Sequence, residues 1–222
     1  MNNKVEQLRE LFANAPETAD CDFTVARFAA GVNKDLADTV GNLVNRTLSF
    51  AARNFAGAIP RDGEAGAPEH ALAEDLARRI ARLRSCHVGL EFRRAAAETR
   101  AIFSLANAYL TEQAPWSAAK SDPGRAAAVL RTGLNLIAIG ARLAWSIVPD
   151  LAADILRQLG IREQIPRWPK CVDVRSLDAL PRGSPLGNPG PLVPKIDDAA
   201  LARLTLRYGG AAAAAADPLT RS

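Results

Sequence analysis

Apolar residues recur along most of this chain at three- and four-residue spacing, the period of a buried helix face. Lys4 to Ala13 carries Val5, Leu8, Leu11 and Phe12 in that pattern, which predicts a short helix stopped by Pro16. Asp22 is placed to cap a second short helix bearing Phe23, Val25 and Phe28, and Gly31 is expected to interrupt it. From Val32 to Phe55 one long apolar stripe follows: Val32, Leu36, Val40, Leu43, Thr47 and Phe50. Asn42, Arg46, Ser49 and Arg53 form a polar stripe beside it. Gly57 and Pro60 end that helix, and Arg61 to Pro68 reads as a loop.

Pro68 opens the next helix, with Leu72, Leu76, Ile80 and Leu83 on one face, and Ser85 to Gly89 is expected to break it. Leu90 to Glu112 continues with Ile102, Leu105, Ala106, Tyr109 and Leu110 inside, terminated by Pro115. Asp122 and Pro123 combine a capping carboxylate with a first-turn proline, so a helix should run from Pro123 to Trp145. Gly133 and Gly140 inside it each cost about 1 kcal/mol against alanine, which is tolerable where a neighbouring helix approaches closely. Asp150 is expected to cap a last main helix ending at Gly160.

Beyond Gly160 seven prolines, from Pro166 to Pro194, punctuate an extended strap. Asp198 to Tyr208 predicts one more helix, and Gly209 to Ala216 is a low-complexity run expected to fray. The pattern thus predicts an all-α bundle of about five main helices. Its parts are a lead-in at 1–21, a helical domain at 22–160, the strap at 161–197, and a short helix with tail at 198–222.

Composition supports this. Aromatics make up only 5% of the 222 residues and alanine is abundant, which favours helices over strands. The formal net charge of +4 permits a polyanionic partner without requiring one. Cys21, Cys86 and Cys171 have neither the number nor the spacing of a disulfide framework or a thiolate zinc site, so a reducing cytoplasm is expected. The charged stretch from Met1 to Leu11 lacks the apolar run of a signal peptide. No segment is expected to match the roughly 20 uncharged apolar residues of a membrane span.

Two stretches carry more than fold. One is Gly41-Asn42-Leu43-Val44-Asn45-Arg46-Thr47-Leu48-Ser49-Phe50; the other is Ala106-Asn107-Ala108-Tyr109-Leu110-Thr111-Glu112-Gln113-Ala114-Pro115-Trp116. Both resemble the anticodon-binding domain of methionyl-tRNA synthetases. Flanking runs agree: Ala13 to Thr18 with Cys21 to Thr24, Arg53 to Gly57, and Pro191 to Asp197 resemble the family's catalytic-domain exit, first-helix end and closing strap.

Specific RNA recognition mostly targets splayed single-stranded bases, and an anticodon loop is such a target. Trp116 follows Pro115 at a helix end, where an indole can project from a corner. The resemblance implies that it stacks on the first anticodon base, a cytosine. Asn42 and Arg46 are four apart and share a helix face. Asparagine offers donor and acceptor, and arginine a planar fork of donors, so the pair suits a base edge. The resemblance implies that these positions contact the anticodon, with Asn45 in support. Arg53 and Lys120 are candidate phosphate contacts.

The class I signatures of the family's catalytic domain are absent. The only methionine is Met1, which excludes a Lys-Met-Ser-Lys-Ser loop. His70 and His87 are too far apart for His-x-Gly-His, and Leu90 stands where His87-Val88-Gly89 would need a second histidine. No catalytic constellation or metal cluster is legible. By the resemblance, ATP and methionine would belong to a catalytic domain outside this sequence. The expected function is a tRNA-binding module for the CAU anticodon of methionine tRNA, either working beside a separate catalytic chain or forming part of a longer ligase. The strap's Leu192 and Val193 would then face that catalytic body. The alternative is a helical remnant, or a repurposed structural protein, without tRNA recognition.

Overall fold

The computed structural model describes residues 24–208. The expected Lys4–Ala13 helix, the Asp22 cap and the low-complexity tail lie outside them. The described residues are helical with no named strand. Helix α1 (Val25–Gly31) runs without a break into a π-wound segment (Val32–Gly41) and then α2 (Asn42–Asn54). Gly31 therefore does not interrupt the helix; its backbone is helical at φ −63° and ψ −46°. Glycine in a helix costs about 1 kcal/mol, and burial of Phe28, Val32 and Leu36 around it outweighs that. Thr24 supplies the cap, its side-chain oxygen accepting from the Arg27 N–H at 3.2 Å.

Helix α3 (Ala67–Val88) persists through the expected break and stops only at Gly89. The chain turns at Leu90, in the left-handed region at φ 56°, before α4 (Phe92–Gln113). Pro115 does more than end α4. Ala114 turns the chain at φ 39°, and Pro115 opens a short α5 (Pro115–Ser121). Asp122 caps α6 (Pro123–Ala144) by accepting from the Arg125 N–H at 2.9 Å. Helix α7 (Pro149–Gln158) has Val148 at its cap position, and Asp150 lies in its first turn instead. Helix α8 (Asp198–Tyr208) packs on α1.

Helix α6 is buried on every side and forms the axis of the core. Its two glycines are explained by close approach. A Cβ on Gly133 would lie 2.8 Å from Leu110 Cδ2, and one on Gly140 would lie 3.0 Å from Phe103 Cε1. By length and composition alone this helix is apolar enough to cross a membrane, although its three arginines keep it from being an uncharged apolar span. The bundle accounts for its apolar character, because 94% of its most apolar window is buried.

The strap lies against the bundle. The Ile59 N–H donates to Ser184 O at 2.9 Å, and Gly183 N–H donates back to Ile59 O at 2.7 Å. A 3-10 turn (Val174–Asp178) buries Leu177, and Leu180 is buried beside it. Leu192 packs on the core, so it finds a partner within this chain. At the far end Asn33 holds Ile196 twice: its Nδ2 donates to the carbonyl at 2.9 Å, and its Oδ1 accepts from the N–H at 2.8 Å.

Candidate nucleic-acid interface

Asn42, Asn45, Arg46 and Arg53 are all exposed on α2, as the polar stripe predicts. The apolar stripe beside them points Leu43, Val44 and Leu48 into the core, which fixes the outward face. Trp116 stands in the first turn of α5 with 39% of its surface open. Pro115 beneath it is buried and anchors the corner. The fold brings Arg46 and Trp116 together: the guanidinium carbon lies 5.1 Å from the indole centroid, a cation–π contact. Asn107 on α4 completes the group. Its Oδ1 accepts from Arg46 Nη2 at 3.3 Å, and its Nδ2 donates to Thr39 O at 3.2 Å.

Asn42 shares the Arg46 face one turn earlier, and Arg53 lies two turns later with its Nε donating to Ser49 O at 3.2 Å. Lys120 is exposed on α5, one turn beyond Trp116. The surface therefore presents an aromatic platform, a fork of donors and an amide, flanked by two cations. It suits a single-stranded base with its phosphates.

Directly below the corner is a buried polar cluster. Glu69 is fully buried at the start of α3. It receives both Arg125 Nη1 and Nη2, at 2.9 and 2.8 Å, together with the Gly66 N–H at 2.6 Å and the Tyr109 hydroxyl. Arg125 Nη2 also donates to Gln113 Oε1 at 2.6 Å, which ties in the last residue of α4 before the corner. Burial is the largest influence on the Glu69 carboxyl and acts to raise it. The bonds from Arg125, Tyr109 and Gly66 outweigh burial and hold it below its ordinary value. Burial, then the Glu69 carboxylate, pushes the Tyr109 hydroxyl upward.

Asn107 and Glu69 were not among the residues singled out from sequence, though both left a signal. Asn107 lies inside the second motif, as a poor helix former in mid-helix. Glu69 falls in register with Leu72, Leu76, Ile80 and Leu83, a charge on an apolar stripe. Among the described residues no cluster of His, Cys, Asp and Glu has the makings of a metal site.

Comparison with known proteins identifies the family to which this fold belongs. A family model described as the anticodon binding domain of methionyl tRNA ligase matches residues 59–213, and one for class I tRNA synthetases (M) matches residues 2–48. The chain is 43% identical over 204 residues to a methionine–tRNA ligase of Hyphomonas neptunium. It is 41% identical over 201 residues to one of Streptomyces avermitilis. Each alignment takes in 90% of this chain and 35% of the relative, so the chain spans about a third of the length of those relatives. The solved apo form of Mycobacterium tuberculosis methionyl-tRNA synthetase superposes with a TM-score of 0.75 at 25% identity. That superposition covers 86% of this chain and 39% of the other. Matched by the anticodon-binding model over most of its length, the chain belongs to the methionyl-tRNA ligase family as its anticodon-binding helical domain.

Proposed function

We propose that this domain reads the CAU anticodon of methionine tRNA, with Trp116 stacking on the first base and Asn42 and Arg46 meeting base edges. Asn45 supports them, and Pro115 fixes the corner. The observation that supports this most is the exposed Arg46–Trp116 pair, assembled from two helices at one end of the bundle. An indole held beside a cation on an open surface contributes little to a core, and it is well suited to a base. ATP and methionine chemistry would reside in a catalytic domain, either within a longer ligase or on a separate chain. A cytoplasmic location follows from that role in translation.

The test is binding of the purified chain to a methionine anticodon stem-loop, against a loop with a changed first base. Trp116→Ala is expected to cost about 1–3 kcal/mol on the CAU loop, roughly 5- to 150-fold in Kd. Equal binding to both loops by the folded wild-type chain, or no binding at all, would leave a helical remnant without tRNA recognition.

Arg53 and Lys120 should behave differently, as contacts to phosphate. Arg53→Ala or Lys120→Ala is expected to weaken both loops alike and to reduce the slope of log K against log salt by about 0.7 each. A salt titration of each variant checks this. A change in loop preference with an unchanged slope would reject the phosphate role.

A further inference from the structure

We infer that Asn107 is a positioning residue for Arg46, setting how the guanidinium is presented above Trp116. The inference rests on the anticodon reading proposed above. Arg46 is exposed on a helix surface, and an exposed arginine normally samples many rotamers. Here its guanidinium has two fixed neighbours, the Trp116 ring and Asn107 Oδ1. The ring attracts the cation without dictating its rotation, since cation–π attraction is weakly directional in the ring plane. A hydrogen bond to one nitrogen does dictate it.

Asn107 is suited to this because its own amide is held. Nδ2 donates to Thr39 O, in the last turn of the π-wound segment, and this fixes which side of the carboxamide is oxygen. The oxygen is thereby turned to Arg46 Nη2. Asn107 is half-buried on α4, a rigid helix, so the whole relay from Thr39 through Asn107 to Arg46 is anchored to scaffold. One guanidinium nitrogen is committed to Asn107, which leaves the other nitrogens of this exposed side chain available to a base. The carboxamide does both tasks at once. Aspartate accepts from Arg46 but cannot donate to Thr39 O, and alanine does neither.

The experiment is a double-mutant cycle on the full chain, with loop binding and thermal unfolding as readouts. Asn107→Ala is expected to lose about fivefold to tenfold in affinity for the CAU loop, the size of one net hydrogen bond. It should also lose most of the preference over the changed-base loop. In an Arg46→Ala background it should have no further effect, because its partner is gone. Asn107→Leu roughly keeps the side-chain volume while removing both bonds, and guards against misfolding; it too should lose preference, with an unfolding midpoint close to wild type. Additive effects of Asn107→Ala and Arg46→Ala, or an equal loss on both loops, overturn the inference while leaving the anticodon reading intact. If Arg46→Ala and Trp116→Ala both leave loop preference unchanged, the anticodon reading fails and this inference fails with it.

Discussion

Replacing Glu69 with alanine is expected to destabilise the domain by about 3 kcal/mol, because it leaves Arg125 and the Tyr109 hydroxyl without their shared acceptor. The figure sits at the low end for a broken buried pair, since Arg125 retains 26% of its side-chain surface. In a chain of this length each kcal/mol moves the midpoint by about 2–4 °C, so the unfolding temperature should drop by roughly 6–12 °C. Glu69→Gln keeps the shape and an acceptor for Tyr109, and should cost about half as much.

The pH dependence has a definite sign on each side. The folded-state Glu69 carboxyl lies below its ordinary value of 4.5, so its contribution is present above that pH. It is lost as pH falls through the lower folded value. Tyr109 is displaced upward from 10.0. Its contribution is complete below that pH and declines as pH rises toward the folded value. Urea midpoints measured across pH would show the acid limb of stability flattened in Glu69→Ala. An unchanged acid limb would show that the carboxylate is not what holds α3, α4 and α6 together.

The helices were legible in the sequence because their signals are local. Apolar spacing located the core faces of α2, α3, α4 and α6, and Asp122 with Pro123 marked the start of α6. The continuity of α1 into α2 was not legible, since a lone Gly31 reads as punctuation unless burial on both sides is known. Nor was the π winding, seen where the Asn42 N–H donates to Ala37 O five residues back, a period that a three- and four-residue pattern does not register. The outward face carrying Asn42 and Arg46 followed from its position beside the apolar stripe. The Arg46–Asn107–Trp116 grouping is tertiary, joining residues 61 apart in the chain, and no periodicity within one helix reports it. The strap was recognised by its prolines, but its anchor is a buried arginine inside an apolar helix, where pattern reading expects only packing.

That anchor, Arg131, carries the second large expected effect. It is 2% exposed in the middle of α6. Its Nε donates to Asp178 Oδ1 at 2.5 Å, Nη1 to Asp62 O at 2.7 Å and Pro60 O at 3.3 Å, and Nη2 to Gly63 O at 2.6 Å. One guanidinium thus joins α6, the loop after α2 and the strap. Burial acts to raise the Asp178 carboxyl, and the bonds from Arg182 and Arg131 overcome it and hold the group low. Arg131→Met preserves much of the buried volume but leaves Asp178 and three carbonyls short of a donor. The expected loss is about 3–5 kcal/mol. Arg131→Lys should recover little, because an ammonium cannot span partners set around a planar fork. Limited proteolysis separates the two ways this can appear. If Arg131 is chiefly a clamp on the strap, cleavage within 161–197 should rise sharply while helical content at low temperature stays near wild type. Helix content lost in parallel with strap cleavage would mean instead that strap and bundle unfold as one cooperative unit, with Arg131 at its centre. A variant as stable and as protease-resistant as the parent would refute both.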